Sequence, residues 1–245
     1  MDRHSTVLWE SEIADVFQAE ARSLSEPEPS PFPTPEHWLN YMTDATSHQT
    51  TARSREAMAA QSLADGDWWQ YMWLVPKNLR SRALWLIQDQ LSDAEYWKLL
   101  GDVWICGEFS HSDKVLWLAL FSSPRPERRC LMSAEELAVF ASLPDPFRIY
   151  RGVLDFRPRR GTRAATDPRC ARGMAWTLSE EKARWFAERF LQPGGVVYAA
   201  DLPKRNAFAY FAGRDEQEIV IDPRRMKLAH SYICQGGAVE QGAGA

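Results

Sequence analysis

The sequence lacks the residue spacings that mark metal sites and disulfide frameworks. Its four cysteines, at positions 106, 130, 170 and 234, form no CxxC pair, and its five histidines show no HxxxH or HExxH spacing. Clustered Cys and His ligands are typical of zinc sites, and closely spaced Cys pairs are typical of small secreted scaffolds. We therefore expect no metal cofactor and no disulfide framework.

Long apolar runs and a strong net charge are also missing. The longest apolar run, VLWLALF at 115–121, is much shorter than the roughly 20 residues that span a bilayer. The stretch MDRHSTVLWESE at the start is acidic and lacks the apolar segment of a signal peptide. A net charge of −4 gives no general attraction to nucleic acid or anionic membrane. We expect a cytoplasmic protein without a membrane partner, and export by a signal-independent route stays open.

The first part of the chain is predicted to be helical and rich in tryptophan. Residues 1–35 contain an amphipathic helix at 9–22 and a linker with proline at every second position from 27 to 35, which excludes helix and strand. Residues 36–146 form a predicted helical domain, with capping boxes at 92–95 and 133–136. Nine of the eleven tryptophans lie before residue 120, and they indicate either a helical core or an exposed surface for a protein partner.

The pattern changes after residue 146 from helices to short strands. Strands are predicted at 147–153, 174–177 and in four later segments, and one amphipathic helix is predicted at 180–190 with Ser179 as its cap. An arginine-rich loop at 157–172 separates the first two strands, and the tail at 236–245 is expected to be disordered. The predicted class is α+β, with a mixed or antiparallel β domain at 147–235 behind the all-α domain.

Three segments of the second half contain residues suited to chemistry. Arg151 offers a planar fork for phosphate oxygens, and Thr177 offers a hydroxyl before a helix. Glu216 and Glu218 stand two apart, so strand geometry would place both carboxylates on one face, about 5.5–7 Å apart. Taken alone, each has a simpler interpretation: a surface cation, a strand end and a solvated edge.

The order of these segments resembles that of the mono-ADP-ribosyltransferases of the arginine–serine–glutamate type, which include cholera-like toxins. The matching segments are Tyr150-Arg151-Gly152, then the stretch GMAWT at 173–177, then Glu216-Gln217-Glu218. The similarity covers residues 147–235 and does not extend into the helical half. It implies an ADP-ribosyltransferase fold, NAD as substrate and no metal.

The resemblance also implies roles for single residues. Glu218 would be the catalytic carboxylate at the nicotinamide ribose, and Glu216 would act on the incoming nucleophile, most often an arginine. Arg151 would hold the phosphates of NAD. Thr177 would support the position of Glu218, and Ser179 is the alternative hydroxyl.

Further binding residues follow from the same resemblance. A cofactor pocket would also involve Tyr150, Gly152, Trp176 and Phe186. The turn at 209–215 would recognise the acceptor through Tyr210, Phe211 and Arg214.

Several functions remain open at this point. A protein acceptor is favoured over a nucleic acid, which only the arginine-rich loop indicates. Water as acceptor would make the protein an NAD glycohydrolase. A non-catalytic binding module with the tryptophan-rich half as its interaction surface is the remaining alternative.

Overall fold

The computed structural model describes residues 54–107, 113–154, 168–189, 195–226 and 230–233. The predicted helix at 9–22, the proline-rich linker, most of the arginine-rich loop and the tail at 236–245 lie outside these ranges. Contacts divide the chain into two compact units. The helical unit comprises Met1–Leu120 and Arg125–Glu127, and the sheet unit comprises Phe121–Pro124 and Arg128–Ala245.

Short helices build the described part of the helical unit. They are α1 (54–65), α2 (Trp68–Leu74), α3 (Arg80–Ile87), α4 (Asp93–Cys106) and α5 (Lys114–Phe121). The capping box at the start of α4 is confirmed, because the Ser92 side chain accepts from the Glu95 N–H while Glu95 accepts from the Ser92 N–H. No helix among the described residues is long and apolar enough to cross a membrane.

The tryptophans of the helical unit divide between its core and its surface. Trp97, Trp104 and Trp117 are buried, as the core interpretation predicts. Trp69 and Trp73 keep 45% and 42% of their surface exposed, which fits the alternative of an aromatic surface. The core interpretation is therefore confirmed for the three buried rings, and the surface for a protein partner stays a prediction for the two exposed ones.

The sheet unit contains six described strands in one sheet. The strands are β1 (Phe147–Val153), β2 (Ala175–Thr177), β3 (Val196–Leu202), β4 (Ala207–Phe211), β5 (Glu218–Ile221) and β6 (His230–Ile233). Their order is β4-β5-β2-β1-β3-β6, and each described pair is antiparallel. The mixture of helices with an antiparallel sheet confirms the predicted α+β class.

One helix before the sheet belongs to the sheet unit and not to the helical half. Helix α6 (Ala134–Ser142) and its flanks place Met132, Phe140 and Leu143 against the hydrophobic core of the sheet. The predicted boundary at 146 therefore lies too late in the sequence. The partly buried apolar face of α6 packs against strands that come later in the chain, and helical periodicity alone does not reveal that partner.

Side chains from residues 128–136 also bond to the outer edge of β4. The Tyr210 N–H donates to the Met132 sulfur at 3.2 Å, and the Ala212 N–H donates to Glu136 Oε1 at 2.9 Å. Arg128 reaches the Phe208 carbonyl at 3.5 Å. These bonds satisfy alternate backbone groups of an edge strand that would otherwise be open to pairing.

Helix α7 (Glu180–Glu188) covers the opposite face of the sheet from that core. The predicted cap is confirmed, since Ser179 Oγ accepts from the Lys182 N–H at 3.1 Å. Ala183 and Ala187 of α7 are buried together with Val197 of β3, and Tyr150 packs against them. The helix therefore lies directly over β1.

Candidate active site

Residues of the three matching segments meet at the centre of the sheet. Strand β2 lies between β1 and β5, Tyr150 pairs with Thr177, and Thr177 pairs with Glu218. Directly paired residues of antiparallel strands point to the same face. Tyr150, Thr177 and Glu218 therefore form a row across three strands, on the face that α7 covers.

Glu218 is buried within this row. Its residue surface is 8% exposed, and it pairs with Thr177 on one side and with Phe211 of β4 on the other. A buried carboxylate requires a charged or hydrogen-bonding neighbour. Arg151 is such a neighbour, because the charge of Glu218 raises the pKa of Arg151 against the larger lowering by burial.

The side chain of Arg151 projects from the face of the sheet opposite to α7, because Arg151 follows Tyr150 in β1 and successive strand residues alternate faces. Its Nε donates to the Cys170 carbonyl, in the turn before β2, at 3.4 Å, and its Nη1 donates to the carbonyl of Ala175, the first residue of β2. Within the described ranges, the second Nη has no hydrogen-bond partner. One side of the guanidinium is thus fixed by backbone, and one nitrogen remains for an anion.

Gly173 provides the space for this guanidinium. A Cβ at Gly173 would lie 2.3 Å from Cζ of Arg151, well inside any normal contact. The need for glycine comes from the side chain of Arg151, because the backbone at Gly173 has no positive φ. This glycine is therefore part of the arrangement that orients Arg151.

Thr177 joins β2 to the turn before β5. Its side chain is buried, Oγ1 donates to the Glu216 carbonyl at 2.6 Å, and Oγ1 accepts from the Ser179 N–H at 3.0 Å. Ser179 uses its own hydroxyl to cap α7. Of the two candidate hydroxyls, Thr177 is the one that pairs with Glu218.

The expectation that Glu216 and Glu218 share one strand face is wrong. Strand β5 begins at Glu218, and Gln217 has a φ of 45°, in the left-handed region. The Gln217 carbonyl accepts from the Leu178 N–H at 3.1 Å, which holds this turn against the end of β2. The half-buried Glu216 therefore takes its position from a turn and not from strand alternation.

Three aromatic residues predicted to contact ligands are buried in the sheet unit. Trp176 is 2% exposed, lies in the hydrophobic core and donates its indole N–H to the Gly173 carbonyl at 3.0 Å. Tyr210 and Phe211 are 6% and 1% exposed, because β4 extends to Phe211 and the turn begins only at Ala212. These rings offer no open face to NAD or to an acceptor, so their predicted roles are corrected to packing.

Packing against α7, and not a ligand, explains why a glycine stands at position 152. A Cβ at this position would lie 1.9 Å from the Ala183 carbonyl oxygen, so the backbone of α7 and not a ligand occupies the space beside it. Of the other predicted contacts, Phe186 is half-buried and packs edge-on against Trp185 at 5.0 Å. The side chain of Arg214 lies outside what the structure describes.

Contacts that sequence reasoning missed are mostly made by backbone. The carbonyls of Cys170 and Ala175 hold Arg151, and the sequence contains no signal for carbonyl positions. Glu136 was identified as a helix cap, yet it also accepts from the Ala212 N–H, 76 positions away. Lys182 forms an ion pair with Asp215 of the turn at 3.6 Å, across a sequence gap that periodicity does not bridge.

Within the described ranges, no three His, Cys, Asp or Glu side chains are grouped as metal ligands would be. Comparison with protein-family models, with characterised proteins and with solved structures finds no match to this chain. The interpretation of the site therefore depends on its own geometry.

Proposed function

We propose that the sheet unit is an NAD-dependent ADP-ribosyltransferase. The observation that carries the proposal is the row formed by Tyr150, Thr177 and Glu218 on adjacent strands. Arg151 follows Tyr150 in β1 and projects from the opposite face of the sheet, yet the charge of Glu218 still raises the pKa of Arg151. These residues are distant in sequence, and burying a carboxylate at the centre of a sheet carries a desolvation cost. A cationic transition state gives that carboxylate a function.

The proposed reaction breaks the bond between C1′ of the nicotinamide ribose and the pyridinium nitrogen. The bonding electron pair leaves with nicotinamide, which becomes neutral, and positive charge develops on the ribose. Glu218, fixed and largely shielded from water, stabilises that charge better than solvent does. A nucleophile then forms a bond to C1′ and transfers its proton to Glu216, which acts as general base.

Arg151 would bind the phosphates of NAD through its unpartnered Nη. Burial lowers the pKa of Arg151, but an arginine starts so far above neutrality that it stays cationic. Protein arginine is the proposed acceptor, with a free guanidinium as the nucleophile.

The test is release of labelled nicotinamide from NAD by the full chain. We expect Glu218→Gln to reduce release by about 100-fold or more, because it removes the charge that stabilises the transition state. Glu135→Gln, an exposed carboxylate on α6, is the matched control and should retain wild-type release. Equal turnover by the wild type and Glu218→Gln would exclude this mechanism.

Label on the ADP-ribose part separates the alternatives. Label transferred to protein supports a transferase, and Glu216→Gln should then reduce transfer more than nicotinamide release. Release without any transfer would identify a glycohydrolase, and label in RNA or DNA would identify a nucleic-acid acceptor. If calorimetry detects no NAD binding, the remaining hypothesis is a non-catalytic binding module.

A further inference from the structure

The helical unit contains a cavity of about 240 Å³ between the start of α2 and the middle of α4. This volume is far larger than a single water molecule needs, so a small organic molecule fits. Its wall combines indole rings with charged groups, and its lining residues are Gly66, Asp67, Trp68, Trp69, Glu95, Lys98, Leu99 and Asp102.

The charges around the cavity are mostly negative, with three carboxylates against one ammonium. Two of the carboxylates take part in helix caps. Asp67 caps α2 by accepting from the Gln70 N–H at 3.0 Å. Glu95 caps α4, and its hydrogen bonds with Ser92 lower the pKa of Glu95.

Asp102 lies inside α4 and does not cap it. It is half-buried, and within the described ranges its carboxylate makes no hydrogen bond and no ion pair. Burial raises the pKa of Asp102, and Lys98 opposes this shift only from beyond ion-pair distance. A partly desolvated carboxylate without a partner costs free energy and requires an explanation.

An exposed indole lies beside this carboxylate. Trp69 lines the cavity with Asp102 and keeps 45% of its surface exposed. Its neighbour Trp73, 4.8 Å away between ring centroids, already carries the Arg80 guanidinium at 4.6 Å. Among the described residues, no cation lies over Trp69 itself. An aromatic face next to an unpaired carboxylate is the combination that binds organic ammonium ions.

We propose that this cavity is a binding site for an organic ammonium ion, with the cation against the Trp69 ring and paired with Asp102. The site would give the helical unit a ligand of its own, independent of the chemistry of the sheet unit. Trp68 and Leu99 would contact the alkyl part of the ligand, because they supply apolar wall to the same cavity.

The test uses three probes on the full chain at constant ionic strength, followed through the indole N–H signals in nuclear magnetic resonance spectra. Choline carries a quaternary ammonium, butylammonium carries a primary one, and 3,3-dimethylbutan-1-ol is the uncharged isostere of choline. We expect at least one cation to shift the Trp69 signal in a saturable manner. The uncharged isostere should bind at least about tenfold more weakly.

Variants separate the contributions of ring and charge. Trp69→Leu should abolish the saturable shift in the remaining signals, and Asp102→Asn should weaken cation binding by about tenfold. Trp185→Leu removes an indole of the sheet unit that is even more exposed, at 57%, and should leave binding unchanged. Equal binding of the isostere, unchanged binding by Asp102→Asn, or no saturable shift with either cation would each overturn the proposal.

Discussion

Each unit contains an aspartate that is shielded from water, buried Asp222 in the sheet unit and half-buried Asp102 in the helical unit, and the two have opposite environments. In the sheet unit, Asp222 follows β5 and accepts hydrogen bonds from the backbone and the guanidinium of Arg224, which lower the pKa of Asp222. In the helical unit, Asp102 has no hydrogen bond among the described residues, and burial raises its pKa. A carboxylate whose pKa is lowered adds stability when ionised, whereas one whose pKa is raised subtracts it.

The charge of Asp222 therefore raises the free energy of unfolding, whereas the charge of Asp102 lowers it. Asp222 fixes the turn after β5, where its backbone N–H also donates to the Asn206 carbonyl at 2.9 Å. Asp102 contributes no such contact within the described ranges. A charge that is retained at a cost is better explained by a ligand than by folding.

In the sheet unit we expect the strongest change in activity from a substitution at Gly173, which makes room for the Arg151 guanidinium. Gly173→Ala would force that side chain off the Cys170 and Ala175 carbonyls, because the new Cβ would lie 2.3 Å from its Cζ. Since a side chain can move, we expect the free energy of unfolding to fall by no more than about 1–2 kcal/mol. Nicotinamide release from NAD should fall by about 100-fold.

Gly152→Ala is the matched comparison. Its Cβ would meet backbone, 1.9 Å from the Ala183 carbonyl and 2.8 Å from the Ala187 nitrogen, so α7 itself must shift. We expect a loss of about 3 kcal/mol or more in urea unfolding. If Gly173→Ala proved as destabilising as Gly152→Ala, or kept full activity, the assignment of Gly173 to Arg151 would be wrong.

A smaller effect is expected from Asp222→Asn. The variant loses the charge-assisted bonds to Arg224, and because that guanidinium is 59% exposed we expect a cost of only about 1–2 kcal/mol at pH 7. The folded pKa is lowered, so the contribution is complete above the unfolded value of about 3.9 and is lost as the pH falls below it. Unfolding of both proteins between pH 3 and pH 7 should show the difference shrinking below about pH 4, and a constant difference would contradict the assignment.

Local signals in the sequence predict the elements of this protein well. Ser92, Ser133 and Ser179 cap the helices they were expected to cap, and β1 spans the predicted residues 147–153. Caps and strand alternation depend on neighbours within about four positions, so a single sequence contains them.

Contacts between distant segments could not be predicted in the same way. Trp176 and Gly152 looked like ligand contacts, but the core of the sheet and the backbone of α7 occupy the space around them. Strand alternation placed Glu216 beside Glu218, whereas the left-handed Gln217 interrupts the strand there. A contact with a distant segment determines the environment of each of these residues, and periodicity in the sequence does not predict which segment that is.

The smallest expected effect has the opposite sign and tests the comparison most directly. Asp102→Asn should stabilise the protein at pH 7, because it removes a charge that burial disfavours. Since the residue is half-exposed and therefore screened, the gain should be at most about 1 kcal/mol. It should vanish as the pH falls through the raised folded pKa and the wild-type carboxylate becomes protonated.

Thermal unfolding with and without choline separates this from a general surface effect, because a bound cation should raise the Tm of the wild type and leave that of the variant nearly unchanged. A variant that is less stable than the wild type at pH 7 would mean that Asp102 serves the fold as Asp222 does.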